Sequence, residues 1–160
     1  MFSIDVANRQ QSLDFDGERL SRSAAAIVHD AKIVAGTLSI AVVDDATIHA
    51  LNRQYLGHDC STDVLSFVLE RSDGYLEGEV VASSETALRA AVQFGWSADD
   101  ELLLYVIHGT LHLIGYDDQD AESLAAMRAA EATYLSQFGV QPRAEPAAGA
   151  EAASASSPAD

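Results

Sequence analysis

Two of the five histidines of this chain, His108 and His112, stand four residues apart in the stretch His108-Gly-Thr-Leu-His112-Leu-Ile-Gly115-Tyr-Asp117-Asp118. On a helix that spacing places both imidazoles on one face. The residues just before them, Leu102 to Ile107, are apolar all round, which predicts a buried helix, and a buried imidazole needs a polar partner or a metal. A lone histidine on such a helix is ordinarily a hydrogen-bonded core residue. The pair is followed by a glycine placed for a left-handed helix end and then by two aspartates, and this combination points to a divalent metal. Two histidines and a third ligand beyond the turn would give three protein donors and one open coordination position, the catalytic rather than the structural zinc arrangement. One of the two aspartates can ligate while the other caps the next helix.

The spacing of histidine, histidine, glycine and third ligand resembles the metzincin zinc signature, in which a glutamate follows the first histidine as general base. Here that position is Gly109. Without a carboxylate beside the metal-bound water, peptide hydrolysis by that route has no proton acceptor, so a metalloprotease is disfavoured.

The elements that must carry these residues follow from the pattern. Phe2 to Val6 alternates as an opening strand, and a helix follows from Asp16-Gly-Glu18 through about Val34. Thr37 to Val43 is rich in β-branched residues and reads as a strand, ending at Asp44-Asp45, which can cap a short helix to about Tyr55. Residues 57–62 read as a loop. Val64 to Leu69 and Leu76 to Ala82 form a hairpin about Ser72-Asp-Gly74. A helix from Ser83 or Ser84 ends at Gly95; Ser97 with Asp100 resembles a capping box for the histidine helix, and a last helix runs from about Asp120 to Phe138. This order predicts an α/β (α+β) fold, a single layered domain with a small mixed β-sheet and about five helices, its metal site on the buried His-x3-His helix.

The chain has 160 residues, 48% of them hydrophobic, enough for one core. We assign one domain to residues 1–141 and a disordered Ala/Ser/Glu/Pro tail to residues 142–160, where no aromatic or large aliphatic side chain offsets the entropy of ordering. The lone Cys60 cannot form an internal disulfide and receives no role. With neither a membrane-spanning apolar stretch nor a cleavable signal, the expected location is the cytoplasm. A net charge of −16 with only nine Lys and Arg argues against binding nucleic acid. A bound dication would be the largest local charge in its site and can override that balance.

The stretch from His108 through Asp117 resembles the metal motif of the YbeY endoribonucleases, or rRNA maturation factors, which reads His-Gly-x-Leu-His-Leu-x-Gly-Tyr-Asp-His. A second likeness covers Leu51-Asn-Arg-Gln-Tyr-Leu-Gly-His-Asp-Cys-Ser-Thr-Asp-Val-Leu-Ser-Phe67, and a weaker third Gly78-Glu79. The resemblance implies a zinc-dependent hydrolase of single-stranded RNA, working in 3′-end maturation of small-subunit rRNA and in ribosome quality control. Its partners would be precursor rRNA and the small ribosomal subunit with its proteins. It further implies one zinc ion per chain, held by His108, His112 and Asp118 and acting through a metal-bound water.

Asp118 stands where the family has its third histidine, and Leu56 where it has an arginine. Aspartate is a legitimate zinc ligand. Leucine cannot clamp a phosphate, which predicts activity below the family norm or dependence on a different cation. Asp117 is either hydrogen-bonded to a ligand histidine or a turn residue. Arg53, His58, Thr62 and Ser66 are candidate substrate-binding residues, set against the plainer readings of a solvated helix arginine, an exposed loop histidine and a strand serine; Asp63 has the same two readings. The alternative functions are a non-catalytic ribosome assembly factor with a structural metal, its acidic surface suited to basic ribosomal proteins, or a metallohydrolase of another substrate.

Overall fold

A computed structural model describes residues 1–143. The expected tail beyond that point lies outside the described residues. The elements run β1 (Phe2–Arg9), α1 (Gly17–Asp30), β2 (Ala35–Val43), α2 (Asp45–Leu56), β3 (Val64–Ser72), β4 (Tyr75–Ser83), α3 (Ser84–Phe94), α4 (Ala98–Leu113) and α5 (Ala121–Gln137). The strands form one sheet in the order β1-β2-β4-β3, with β1, β2 and β4 mutually parallel and β3 antiparallel to β4. This is the α/β fold with a mixed sheet and five helices that the pattern predicts.

Local signals account for most boundaries. Asp16, Asp44, Ser83, Ser97 and Asp120 each take an extended backbone and accept amide N–H bonds from the first turn of the helix they precede. One boundary differs from expectation. The first helix stops at Asp30, not near Val34, because Lys32 turns left-handed (φ 64°) and the N–H groups of Val34 and Ala35 donate to the Gly74 carbonyl in the β3–β4 turn. Hydrogen bonding from a distant hairpin thus captures backbone that local propensity leaves helical.

The helices divide between the faces of the sheet. Leu38, Ile40 and Val42 of β2 and Leu76, Val80 and Ala82 of β4 share one core with Leu102, Leu103, Val106, Ile107 and Leu111 of α4, flanked by α1 and α5. The alternate residues Val43, Leu65 and Val81 point the other way and pack with Ile48 of α2 in a smaller cluster. The central helix α4 is buried along nearly its whole length, so its side chains touch protein on every side.

Gly109 explains how close α4 lies to the sheet. A Cβ there would stand 2.9 Å from Val80 Cγ1, 3.1 Å from Ser66 Oγ and 3.2 Å from Val64 Cγ2, and Ser66 Oγ donates to the Gly109 carbonyl at 3.0 Å. The position that carries the metzincin glutamate therefore faces the sheet, with no space for a side chain. An alanine in a helix interior normally stabilises by about 1 kcal/mol over glycine. Overpacking against three neighbours outweighs that, so Gly109→Ala is expected to lower stability by about 1 kcal/mol net, read as a lower urea midpoint at unchanged m-value.

Candidate metal centre

The histidine helix is fixed at both ends by arginines from elsewhere in the chain. At its start Ser97 Oγ accepts from the Asp100 N–H at 3.0 Å, while Arg19 of α1 donates to Asp99 at 2.7 Å and to Asp100 at 2.6 Å. The Asp100 carboxylate thus serves an ion pair between helices. At the other end Gly115 takes φ +110°, the Tyr116 N–H returns to the Leu111 carbonyl at 3.0 Å, and the chain reverses. Arg71 of β3 donates to the last carbonyls, Leu113 at 3.2 Å and Ile114 at 2.9 Å, and its guanidinium lies against Gly115. Sequence reading passed over Arg71, because only the fold brings β3 beside this helix end.

The turn delivers Asp118 to the two histidines. His108 Nε2 and His112 Nε2 are 3.1 Å apart, and Asp118 Oδ2 lies 3.4 Å from the first and 3.5 Å from the second. Donors bound at about 2.0–2.1 Å in a tetrahedron around zinc stand about 3.3 Å apart. The three atoms therefore have the separation that one small divalent ion requires. Both histidines are buried and Asp118 is half-buried, so this His/His/Asp group can hold a metal ion.

The rear of His108 is held by a residue that sequence analysis missed. Its Nδ1 is 2.6 Å from Glu131 Oε2, a carboxylate only 4% exposed on α5, and Arg128 NH1 donates to both Glu131 oxygens at 2.9 and 3.2 Å. A carboxylate here keeps the proton on Nδ1 and leaves Nε2 to face the cluster. Helical spacing shows that Arg128 and Glu131 share a face. It cannot show that this face meets α4.

Burial pulls the His108 pKa down, but hydrogen bonds to Asp118 and Glu131 outweigh it and raise the group to about 10. Asp118 is held well below the ordinary carboxylate range by its bonds to His108 and His112, opposed by burial. Burial pushes Glu131 up, yet His108 and Arg128 leave it net lowered.

The remaining candidates separate. Thr62 is buried and lines, with Asp63, a cavity of about 560 Å³ that His108 and Glu131 also face. Burial raises the Asp63 carboxyl against the pull of His108. Ser66 lies under α4 and bonds to Gly109, so it anchors the helix and does not line this cavity. Arg53 and His58 are exposed on α2 and the loop after it, also outside the cavity lining. Asp117 is exposed and accepts from the Asp118 N–H at 2.7 Å; it serves the turn, and the carboxylate on the histidine is Glu131. Neither Asp117 nor Asp118 caps the next helix, because Asp120 accepts from Ser123 N–H at 2.7 Å. Leu56 packs with Ala41, Leu51 and Phe67 around the α2 cluster, on the sheet face opposite α4. Leucine suits that apolar contact.

An α/β domain with a three-donor cluster that can hold a metal, two histidines from its buried central helix and an aspartate from beyond the turn that ends it, is the class that fold and site define. Residues 5–139 match the family model described as Endoribonuclease YbeY, and the chain belongs to that family. Among curated relatives named Endoribonuclease YbeY, that of Carboxydothermus hydrogenoformans is 36% identical over 140 residues, 86% of this chain and 98% of the relative. That of Desulfitobacterium hafniense is 41% identical over 132 residues, covering 76% and 84%. The Rhodopirellula baltica relative is 48% identical over 108 residues, 66% of this chain but only 56% of its own length. A solution structure of a Thermotoga maritima protein matches with TM-score 0.58 and 28% identity, over 87% of this chain and 92% of that one.

The raised pKa of His108 gives a pH signature in metal-free protein. Its contribution to stability is complete below the unfolded value near 6.5 and is lost as pH rises through about 10. Thermal melts in chelator should show a midpoint that falls across that window, and Glu131→Gln should flatten the fall. A midpoint independent of pH in the parent protein would exclude the charged His108 described here.

Proposed function

We propose that this chain is a metal-dependent endoribonuclease of single-stranded RNA, acting in the cytoplasm in 3′-end maturation of small-subunit rRNA and in ribosome quality control. The observation that carries the reading is the set of three donor atoms, two imidazole nitrogens and one carboxylate oxygen, separated by 3.1 to 3.5 Å. Family membership and the names of the relatives supply the substrate class.

His108, His112 and Asp118 would hold one zinc ion, which when bound supplies a Lewis acid and a water of lowered pKa for attack on a phosphodiester. The protein's own residues do the rest. Glu131 orients His108 and keeps its Nδ1 proton in place, and Arg128 keeps Glu131 ionised. Arg71 and Gly115 set the turn that presents Asp118. Thr62 and Asp63 stand on the wall of the cavity that His108 and Glu131 face. No carboxylate follows His108, which suits phosphodiester over peptide chemistry.

A second reading is favoured by the open half of the sheet. Asp5 of β1 and Glu77 and Glu79 of β4, the two strands that flank β2, point to the face opposite α4, on a chain of net charge −16. Such a surface suits basic ribosomal proteins, as a non-catalytic assembly factor with a structural metal would require.

Cleavage of a labelled single-stranded RNA by zinc-reconstituted protein separates the two. Folded His112→Ala is expected to lose cleavage, and Glu131→Gln to lose about 10- to 100-fold in zinc affinity or activity. Equal cleavage by parent and His112→Ala, or none by either, together with capture of ribosomal proteins by both, would replace the nuclease with the assembly factor.

A further inference from the structure

Strand β3 forms one edge of the sheet, with α4 against one of its faces and α2 against the other, and no strand among the described residues pairs with its outer side. Soluble proteins protect such edges with charged residues, lysine above all, or with proline. Residues 64–69 read Val-Leu-Ser-Phe-Val-Leu and carry neither. The bulge in this strand comes only after Val68.

The phase of the β3–β4 ladder shows which backbone groups are free. The Ser83 N–H donates to the Asp63 carbonyl at 2.9 Å, so, counting on in twos, Leu65 and Phe67 bond to their partners Val81 and Glu79. The N–H and C=O groups of the alternate residues Ser66 and Val68 then point away from the sheet, and no backbone hydrogen bond of the described residues reaches them. Val64 has the same phase but is buried, so the open stretch begins at Ser66; beside it Val68 and Leu69 are 51% and 63% exposed. The two faces along this edge differ in chemistry. Val68, opposite Gly78, stands on the α4 face. On the α2 face stand Glu70 and Phe67, whose ring meets that of exposed Tyr55 at 5.9 Å and 70°. Glu70 lies directly opposite Glu77 of β4, and no Lys or Arg among the described residues forms an ion pair with either. Like charges directly opposite destabilise a sheet, and a cation brought from outside would relieve them. Aromatic rings and a carboxylate both attract such a cation.

We propose that the β3 edge at residues 66–68 is a docking site for an extended segment of a partner protein, which adds as a fifth strand with apolar residues toward Val68 alternating with Lys or Arg toward Tyr55, Phe67 and Glu70. Charge selects this occupant. A second copy would bring two chains of net charge −16 edge to edge, and RNA would bring its phosphates to Glu70 and Glu77. The docking site goes beyond the nuclease reading and does not depend on it. It lies on the strand whose Arg71 holds the carbonyls of Leu113 and Ile114, ahead of the turn that presents Asp118.

The test uses the full chain and a labelled synthetic peptide of alternating valine and lysine, about eight residues long, beside one of alternating valine and glutamate. In amide hydrogen exchange read by NMR, Ser66 and Val68 should exchange fast in the free protein and roughly tenfold or more slowly with the lysine peptide, while Leu65 and Phe67 are slow in both states. Val68→Pro removes an outward N–H without touching the bonds to β4, and Glu70→Lys reverses the charge beside the edge; circular dichroism checks that both fold. Each should weaken binding of the lysine peptide roughly tenfold by fluorescence anisotropy, and Glu70→Lys should turn the preference toward the glutamate peptide. No binding of the lysine peptide, unchanged exchange of Ser66 and Val68, or parental binding by both variants would overturn the proposal. Protection of the same two amides by dimerisation in sedimentation, or by a single-stranded RNA octamer and not by the peptide, would overturn it in favour of a second copy or of RNA. RNA cleavage is a separate readout, and its absence in the parent would sink the nuclease reading while peptide binding at the edge still upholds the docking site.

Discussion

The close approach of α4 to the sheet is the constraint from which the site follows. Gly109 lets the helix lie on Val80 and Val64, and Ser66 fastens it there. A helix pressed so deeply into the core has no solvent-facing stripe, so its two histidines emerge into protein and not into water. Their partners must then come from other elements. The turn after Gly115 brings Asp118 to Nε2 of both rings, and α5 brings Glu131 to Nδ1 of one.

Buried charge makes this cluster expensive to leave half-assembled, because an ionised group without a partner in the interior costs several kcal/mol. That cost explains the chain of partners. Arg128 answers Glu131, Glu131 answers His108, and Asp118 answers both histidines. The helix ends obey the same logic, with Arg19 on the acidic first turn and Arg71 on the last carbonyls. A net charge of −16 is thus a poor guide to the site. The few arginines are concentrated at the helix ends and around the cavity that His108 faces.

Leu56 shows what the fold adds to a substitution known only by its sequence position. Beside Tyr55 and a motif rich in polar residues, a leucine reads as a lost phosphate clamp. In the fold it completes an apolar cluster with Leu51 and Phe67, on the far side of the sheet from the histidines. Asp118 is the opposite case, since the altered residue still reaches the cluster and offers an oxygen where a nitrogen was expected.

Periodicity and capping residues by themselves determined the order and type of every element described, the buried helix and the pair of histidines on one of its faces, because those signals act within a few residues. They also determined that a glycine turn would bring an acidic residue back. Only the tertiary structure decided which residues meet across the sequence. Glu131 lies 23 residues beyond His108, and Arg71 stands 42 residues before the carbonyl of Leu113. Arg143, two residues into the stretch whose composition reads as a tail, packs on Phe94 and Glu101. Helical and strand periods specify a face but not what it will face, and the metal centre, its supporting carboxylate and the cavity behind His108 are all properties of facing surfaces.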